Sequence, residues 1–293
     1  MSYVLTLIAN RAAINLEHPI IDQVRRVVSG GEPDILSPGE AADIPCSSPP
    51  DLSATRAALL GAPVDAIAVH ARGRRKRLLI ADMDSTIVTG ETLDELADCA
   101  GLRSEIAGIT QRAMNGELDF PTALRQRVAL LKGLSIAALE RAWEHMTLTQ
   151  GAHDLVATMR THGAFTVLVS GGFTFFATRV ADLTGFHRHY ANTLLDNGRV
   201  LTGSLHEPIL DQHAKLSILH SLVAEKGLPL SATLAIGDGA NDLPMLRDAG
   251  LGVAYRPQPF VAKKIPARLE HADLRGALFV QGYRAAEIVS QPG

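Results

Sequence analysis

The chain has 293 residues, of which 46% are hydrophobic and 20% are charged, and its formal net charge is −3. This balance is typical of a globular protein with a sizeable core, and it gives no overall attraction to nucleic acid or to an anionic membrane. Two cysteines without a CxxC pair argue against a disulfide framework or a zinc site, and we find no secretory signal and no apolar run of bilayer length. We therefore expect a cytoplasmic protein with neither nucleic-acid nor membrane partners.

Residues 1–72 are predicted to form a small α+β domain. Strand-like alternation occurs at 3–8 and 64–70, and helical spacing occurs at 19–29 and 53–61. The stretch 33–47 is rich in Pro, Ser, Asp and Gly, and we expect one short strand in it. The basic run Arg72–Arg77 ends the domain. We interpret this run as a solvated linker or strand entry, because no aromatic residues accompany it as they would in a nucleic-acid site.

Residues 73–293 are predicted to form a second, α/β domain. Continuous apolar runs at 78–81, 165–169, 233–236 and 251–255 are typical of strands buried on both faces of a parallel sheet. Helical patterns at 174–184, 212–226 and 241–249 alternate with them, which predicts right-handed crossovers.

A long insert at about 90–150 has a helical pattern, and we expect it to form a cap over the carboxyl end of the first strand of this sheet. Asp196-Asn197-Gly198 lies between two alternating runs within 189–205, which predicts a hairpin there.

The carboxylates with the most pronounced pattern follow two of the predicted buried strands. Asp82-Met83-Asp84-Ser85-Thr86 comes directly after the first, and Gly237-Asp238-Gly239-Ala240-Asn241-Asp242 follows the third. Like charges brought together at one sheet edge are costly without a cation, and carboxylate oxygens suit a divalent ion. An ordinary acidic loop or an Asx-rich helix cap remains the alternative for each segment taken alone.

Two further segments have the residue types of an anion site. Ser170-Gly171-Gly172 follows the second predicted strand and offers a hydroxyl and free N–H groups at a helix N-terminus. Lys215 lies in the helical pattern after the hairpin. Each signal is weak by itself, since Ser-Gly-Gly is common in loops and a single helical Lys is usually solvated.

Together, in this order, the four segments resemble the motifs of the haloacid dehalogenase (HAD) superfamily of phosphotransferases, over Leu78 to about Tyr255. The resemblance implies a HAD-like, Rossmann-like parallel sheet with a helical cap, and a hydrolase that uses Mg²⁺. It also implies that Asp82 is the nucleophile that forms an aspartyl-phosphate and that Asp84 is the general acid and base. It implies that Asp82, Asp238 and the main-chain carbonyl of Asp84 bind magnesium. The implied phosphate contacts are Ser170, Gly171, Lys215 and Asn241, and the implied supporting residues are Asp242 and Gly172.

The segment Val88–Leu96 further resembles the phosphoserine phosphatase branch of that superfamily. The resemblance implies that Glu91 binds a substrate ammonium, that Arg127 binds a carboxylate, and that Met114 and Phe120 close over the serine. Helix-end and surface-pair roles remain alternatives for Glu91 and Arg127, and periodicity alone does not separate Arg127 from Arg125. We expect phosphoserine hydrolysis, the last step of L-serine biosynthesis. The alternative is a HAD phosphatase or phosphotransferase acting on another small phosphomonoester.

The N-terminal domain resembles an ACT-like small-ligand module by pattern only. Three roles stay open for it: a structural role, a dimerising role that would make the protein a homodimer, and amino-acid regulation.

Overall fold

The computed structural model describes residues 3–114 and 117–290. Its N-terminal part is a four-stranded antiparallel sheet with strand order β2-β3-β1-β4 and two helices, which confirms the predicted α+β arrangement. The stretch 33–47 contains two strands instead of the predicted one, because the chain reverses at Gly39, where φ is +71° and Glu40 N–H donates to Ser37 O. The elements are β1 (Tyr3–Ala9), α1 (His18–Val27), β2 (Asp34–Ser37), β3 (Ala41–Cys46), α2 (Leu52–Ala58) and β4 (Val64–His70).

The second sheet has six parallel strands in the order β12-β11-β10-β5-β6-β7. Its central strands β5 and β10 are buried along their whole length, as their continuous apolar runs predict. The predicted fourth strand is also present, as β11. The strands are β5 (Leu78–Ala81), β6 (Phe165–Phe173), β7 (Arg188–Asn192), β10 (Thr233–Gly237), β11 (Leu251–Tyr255) and β12 (Arg268–Leu269).

Helices cover this sheet, and an insert of four helices forms a cap. The cap helices are α3 (Thr92–Ala100), α4 (Arg103–Met114), α5 (Phe120–Leu130) and α6 (Ala137–Glu144). The remaining helices are α7 (Ala152–Thr161), α8 (Thr174–Thr184), α9 (Gln212–Glu225), α10 (Leu243–Asp248), α11 (Pro259–Ala262) and α12 (Gly276–Val280). The two connections between cap and core run antiparallel, with Thr89 N–H donating to Thr147 O at 3.0 Å and Thr149 N–H donating to Ile87 O at 2.9 Å.

The hairpin forms around Asp196-Asn197-Gly198, between β8 (Leu194–Asp196) and β9 (Leu201–Leu205). The run before it is split, because residues 188–192 join the parallel sheet as β7. The hairpin also bonds to the cap: Gly133 N–H donates to Leu201 O at 2.9 Å, and Ile136 N–H donates to Arg199 O at 3.0 Å. Among the described residues, main-chain hydrogen bonds therefore hold the cap at two places, at its own entry and exit and at the hairpin.

The basic run is not simply a solvated linker. Arg74 is largely buried and donates to Asp43 and Thr6 of the N-terminal sheet and to the carbonyls of Phe279 and Val280. The expectation of a solvated linker is therefore wrong for Arg74, whose partners lie far away along the chain. The boundary at residue 72 falls between β4 and β5 and stays a prediction. Among the described residues, no helix combines the length and apolar character needed to cross a bilayer.

Candidate active site

A cavity of about 460 Å³ lies between the cap and the carboxyl ends of β5, β6 and β10. This is the edge at which open parallel sheets bind ligands. Its lining includes most of the predicted site residues, from both the core and the cap: Asp82, Asp84, Glu91, Phe120, Arg127, Gly171, Gly172, Asp238 and Asn241. Four segments far apart in sequence therefore meet at one place.

Asp82 is the first residue after β5 and is only 4% exposed. Its Oδ1 accepts a hydrogen bond from Met83 N–H at 2.8 Å and lies 2.7 Å from Lys215 Nζ. Among the described residues, Oδ2 of Asp82 accepts no hydrogen bond, so this oxygen is available to react. Burial, followed by the charge of Asp242, raises the pKa of Asp82 well above its usual value.

Lys215 is positioned by α9, whose N-terminus is capped by Asp211 through the N–H groups of His213 and Ala214. Its ammonium lies 2.7 Å from a carboxylate oxygen of Asp82 and 2.7 Å from one of Asp242. Burial alone would lower the pKa of Lys215, but the two carboxylates outweigh it and the pKa is raised. The ammonium is therefore charged and holds the two carboxylates together.

Asp84 lies in a tight turn in which Ser85 has φ of +52°. One carboxylate oxygen accepts from Thr92 N–H at 2.8 Å and the other from Ser170 Oγ at 2.9 Å. Burial raises the pKa of Asp84. A Cβ at Gly172 would lie 2.7 Å from Asp84 Oδ2, so this position has no room for a side chain. The Asp84 carboxyl is therefore held in one orientation and retains a proton more readily than an exposed carboxyl.

The last part of β6, where its pairing with β7 is irregular between Val169 and Phe173, is arranged around Ser170, which is fully buried. Its hydroxyl accepts from Gly172 N–H at 2.8 Å while donating to Asp84, so it supports the site from beneath the cavity surface. Gly171 and Gly172 line the cavity, and the Phe120 ring lies 3.2 Å from the position of a Cβ at Gly171. Phe120 thus closes the cavity over the end of β6.

Three carboxylates form a group that fits a divalent metal. One oxygen each from Asp82, Asp238 and Asp242 lies within 4.8 Å of the others. Hard oxygen donors of this kind suit Mg²⁺ or a similar ion. Burial, and then the charge of Asp242, raises the pKa of Asp238 to about 6, which a bound cation would reverse. Asp242 is also bonded to Lys215 and to Gly239 N–H, which fits its predicted supporting role.

Glu91 and Arg127 lie in the cap side of the same cavity. Glu91 is open to the cavity and accepts from Ser85 Oγ at 2.7 Å, while desolvation and the charge of Asp84 raise its pKa to about 8. Arg127 donates to Ala123 O at 3.2 Å and, among the described residues, forms no ion pair. Arg125, by contrast, is exposed and pairs with Glu207 at 2.8 Å outside the cavity. The structure thus separates the two arginines that the sequence left unresolved.

Sequence reasoning missed several polar residues of the site. Thr92 binds Asp84, Thr86 Oγ1 donates to Asp238 at 3.3 Å, and Gln212 and Gln258 line the cavity. Thr86 lies inside the DxDST motif, which was the one signal for it. The Met114 side chain, predicted to cover the substrate, lies outside the described residues.

Asn192 is a further missed residue. It ends β7, is 3% exposed, and donates through Nδ2 to Gly171 O at 2.8 Å. Its Oδ1 accepts from Leu210 N–H at 2.7 Å, just before α9. One buried amide therefore joins the glycine-containing end of β6 to the segment that leads to Lys215.

The comparisons with known proteins agree with this geometry. Residues 79–247 match the family of haloacid dehalogenase-like hydrolases, and the chain belongs to that family. A protein of Schizosaccharomyces pombe named probable phosphoserine phosphatase is 41% identical over 210 residues, which cover 71% of this chain and 70% of that protein. The protein is therefore an enzyme of the hydrolase class.

Two solved structures extend the likeness. A probable phosphoserine phosphatase from Vibrio cholerae, in unliganded form, superposes with a TM-score of 0.80 at 28% identity and covers 98% of this chain and 88% of that one. A phospho-aspartyl intermediate analogue of a phosphoserine phosphatase superposes with a TM-score of 0.65 at 38% identity, over 70% of this chain and 98% of that one. The Vibrio cholerae structure therefore matches this chain with its N-terminal part included, whereas the intermediate analogue matches only 70% of it.

Proposed function

We propose that this protein is a magnesium-dependent phosphoserine phosphatase that hydrolyses O-phospho-L-serine to L-serine and phosphate, the last step of L-serine biosynthesis. The observation that carries the proposal is the composition of one cavity. Asp82 and Asp84, which suit phosphoryl transfer, share it with Glu91 and Arg127, which suit a free amino acid. The named relatives support the same substrate.

The amino-acid end of the substrate binds on the cap side. A guanidinium forms paired, charge-assisted hydrogen bonds with a carboxylate, and Arg127 has no carboxylate partner of its own among the described residues. An ammonium beside Glu91 offsets the desolvation that raises the pKa of this carboxyl to about 8.

The chemistry begins with in-line attack by Oδ2 of Asp82 on phosphorus, which forms an aspartyl-phosphate. Asp84 donates its proton to the serine oxygen as the P–O bond breaks, because an alkoxide is a poor leaving group. Asp84, now a carboxylate, takes a proton from the water that attacks the intermediate. The phosphate then leaves and Asp82 is restored. Lys215 offsets negative charge throughout, and Gly171 N–H and Asn241 contact phosphate oxygens.

The carboxylates of Asp82 and Asp238 and the main-chain carbonyl of Asp84 would hold the metal, while Asp242 stays paired with Lys215. A bound Mg²⁺ supplies positive charge that reduces repulsion between the attacking carboxylate and the phosphate dianion. The free thiols of Cys46 and Cys99 support a reducing, cytoplasmic setting. A homodimer stays a prediction.

The test compares Arg127→Ala with Arg125→Ala on two substrates. On phosphoserine we expect Arg127→Ala to lower kcat/KM by about tenfold to a hundredfold, since hydrogen bonds to charged groups contribute roughly 1.5–3 kcal/mol. On phosphoethanolamine, which lacks the carboxylate, it should have little effect. Arg125→Ala should match the wild type on both.

Asp82→Asn is the second arm and should abolish phosphate release from every substrate. Equal wild-type rates on phosphoserine and on phosphoglycolate, which has no ammonium, would instead support a phosphatase for another small phosphomonoester. Full activity of Asp82→Asn would contradict the mechanism itself.

A further inference from the structure

A second large cavity, of about 700 Å³, lies where the N-terminal unit meets the catalytic sheet. One wall comes from residues 68–70, 72–74 and 76, which end β4 and follow it. The other comes from residues 231, 246, 247, 249–252 and 264–267. No residue lines both this groove and the catalytic cavity. The groove borders the start of β10 and β11, whereas the catalytic residues follow the other ends of β5, β6 and β10. It is therefore a separate site at the opposite edge of the sheet.

The charged residues of this groove, which we name the junction groove, are all basic. No Asp or Glu is among its lining residues, although the whole chain carries a net charge of −3. The basic lining residues are His70, Arg72, Arg74, Lys76, Arg247 and Lys264. A concave surface lined by one sign of charge concentrates ions of the opposite sign.

Most of these positive charges are not cancelled within the protein. Among the described residues, Arg72 and Arg247 are exposed and make no side-chain hydrogen bond or ion pair. Lys76 Nζ donates to the neutral carbonyls of Gly73 and Ser231, at 2.9 and 2.8 Å. Lys264 Nζ lies 3.6 Å from the centroid of the Phe260 ring. Within the part of the chain that the structure describes, Arg74 is the one of these cations that pairs with a carboxylate, that of Asp43.

The remainder of the lining is mostly apolar, which limits the class of ligand. Val69, Leu246, Leu251, Ile265 and Pro266 contribute to it. An inorganic anion would leave this surface uncovered, whereas an organic anion with an apolar or aromatic body would cover it. The volume lies within the roughly 300–1,000 Å³ of small-molecule sites.

We propose that the junction groove is a binding site for a multivalent organic anion of about nucleotide size, with its charged group at Arg72 and Arg247 and its body against the apolar wall. Such a ligand contacts the N-terminal unit and the catalytic sheet together. It also contacts α10, which begins directly after Asp242 and has Leu246 and Arg247 in its last turns.

The experiment is calorimetric titration of metal-free protein, in EDTA, with ATP, inorganic triphosphate and adenosine as probes. We expect wild type to bind ATP more tightly than triphosphate, adenosine not to bind, and affinity to fall as NaCl is raised. Arg72→Ala/Arg247→Ala should weaken ATP binding at least tenfold. Arg26→Ala/Arg199→Ala also removes two exposed arginines that form no ion pair among the described residues, but away from the groove, and should bind as wild type does.

Arg127→Ala distinguishes binding in the junction groove from binding in the catalytic cavity, because Arg127 lines only the second of these. This variant should also bind ATP as wild type does. A loss of binding in Arg127→Ala with no loss in Arg72→Ala/Arg247→Ala would place the anion in the catalytic cavity and overturn the proposal. Absence of binding to wild type, or adenosine binding as tightly as ATP, would also overturn it. Thermal unfolding of each variant checks that the fold is intact.

Discussion

Replacement of Lys215 by Met tests whether one buried ammonium holds the catalytic carboxylates together. Lys215 is 1% exposed and lies 2.7 Å from oxygens of both Asp82 and Asp242. Methionine has a similar length and no charge, so it fills the same space without the ion pairs. The variant leaves two carboxylates buried beside Asp238, with no cation from the chain between them.

The expected cost is about 3–5 kcal/mol in the free energy of unfolding, which is typical for removing one partner of a buried ion pair. The cost should depend on pH with a defined sign. The folded-state pKa of Asp82 is already raised, and loss of Lys215 raises it further. When the pKa of a carboxyl is higher in the folded than in the unfolded state, its contribution to the free energy of unfolding is fully present below the unfolded pKa of about 4. That contribution is lost as the pH rises towards the folded-state pKa. The difference between variant and wild type should therefore widen from pH 4 to pH 7.5.

The assay is urea unfolding of metal-free protein at both pH values, with phosphate release measured separately in the presence of Mg²⁺. Lys263→Met, at an exposed lysine, is the matched control and should change stability by less than about 0.5 kcal/mol. Lys215→Met should also lose phosphatase activity. A Lys215→Met protein within 1 kcal/mol of wild type at pH 7.5 would refute the role that we give to this ion pair.

Three further predictions concern the rest of the site. Gly172→Ala places a Cβ 2.7 Å from Asp84 Oδ2 and should lower kcat about a hundredfold or more by displacing the general acid; near-normal kcat would contradict this orientation. Mg²⁺ should raise Tm more at pH 7.5 than at pH 5, because protons compete for Asp238, whose pKa is about 6; equal gains by calorimetry would argue against Asp238 as a ligand. Asn192→Ala removes the hydrogen bond to Gly171 O and should raise KM for phosphoserine severalfold. It should also lower the free energy of unfolding, measured with a denaturant, by about 1–3 kcal/mol. A purely structural role of Asn192 would leave KM unchanged.

The sequence predicted the sheet strands that are buried on both faces, because such a strand needs apolar side chains on each face and so produces a continuous apolar run. The alternating run before the hairpin turn predicted extended structure there, but not that residues 188–192 leave the hairpin and join the parallel sheet as β7. The sequence also did not predict β12, which has only two residues. Both strands lie at the edges of the sheet, and periodicity does not say which neighbour an edge strand pairs with.

The same limit applies within the site. Asp82 and Asp238 could be predicted because each follows a buried strand. The choice between Arg125 and Arg127 could not be made from helical spacing, since residues two apart on a helix lie on different faces and the pattern does not say which face meets the cavity. Arg74 had no local signal at all, because its partners come from the first and last parts of the chain.

The two sets of main-chain hydrogen bonds that hold the cap limit how it can move relative to the core. One is the antiparallel pair of connections at 87–89 and 147–149; the other is the set of main-chain hydrogen bonds between 133–136 and the tip of the β8–β9 hairpin. The first joins the entry and exit of the cap insert to each other, whereas the second joins the cap to a separate part of the core. Rotation of the four cap helices therefore either breaks these bonds or carries the hairpin with it. If the hairpin moves with the cap, the moving unit includes residues 194–205. Because the hairpin directly follows β7, a change in the position of the cap would then be transmitted to Asn192.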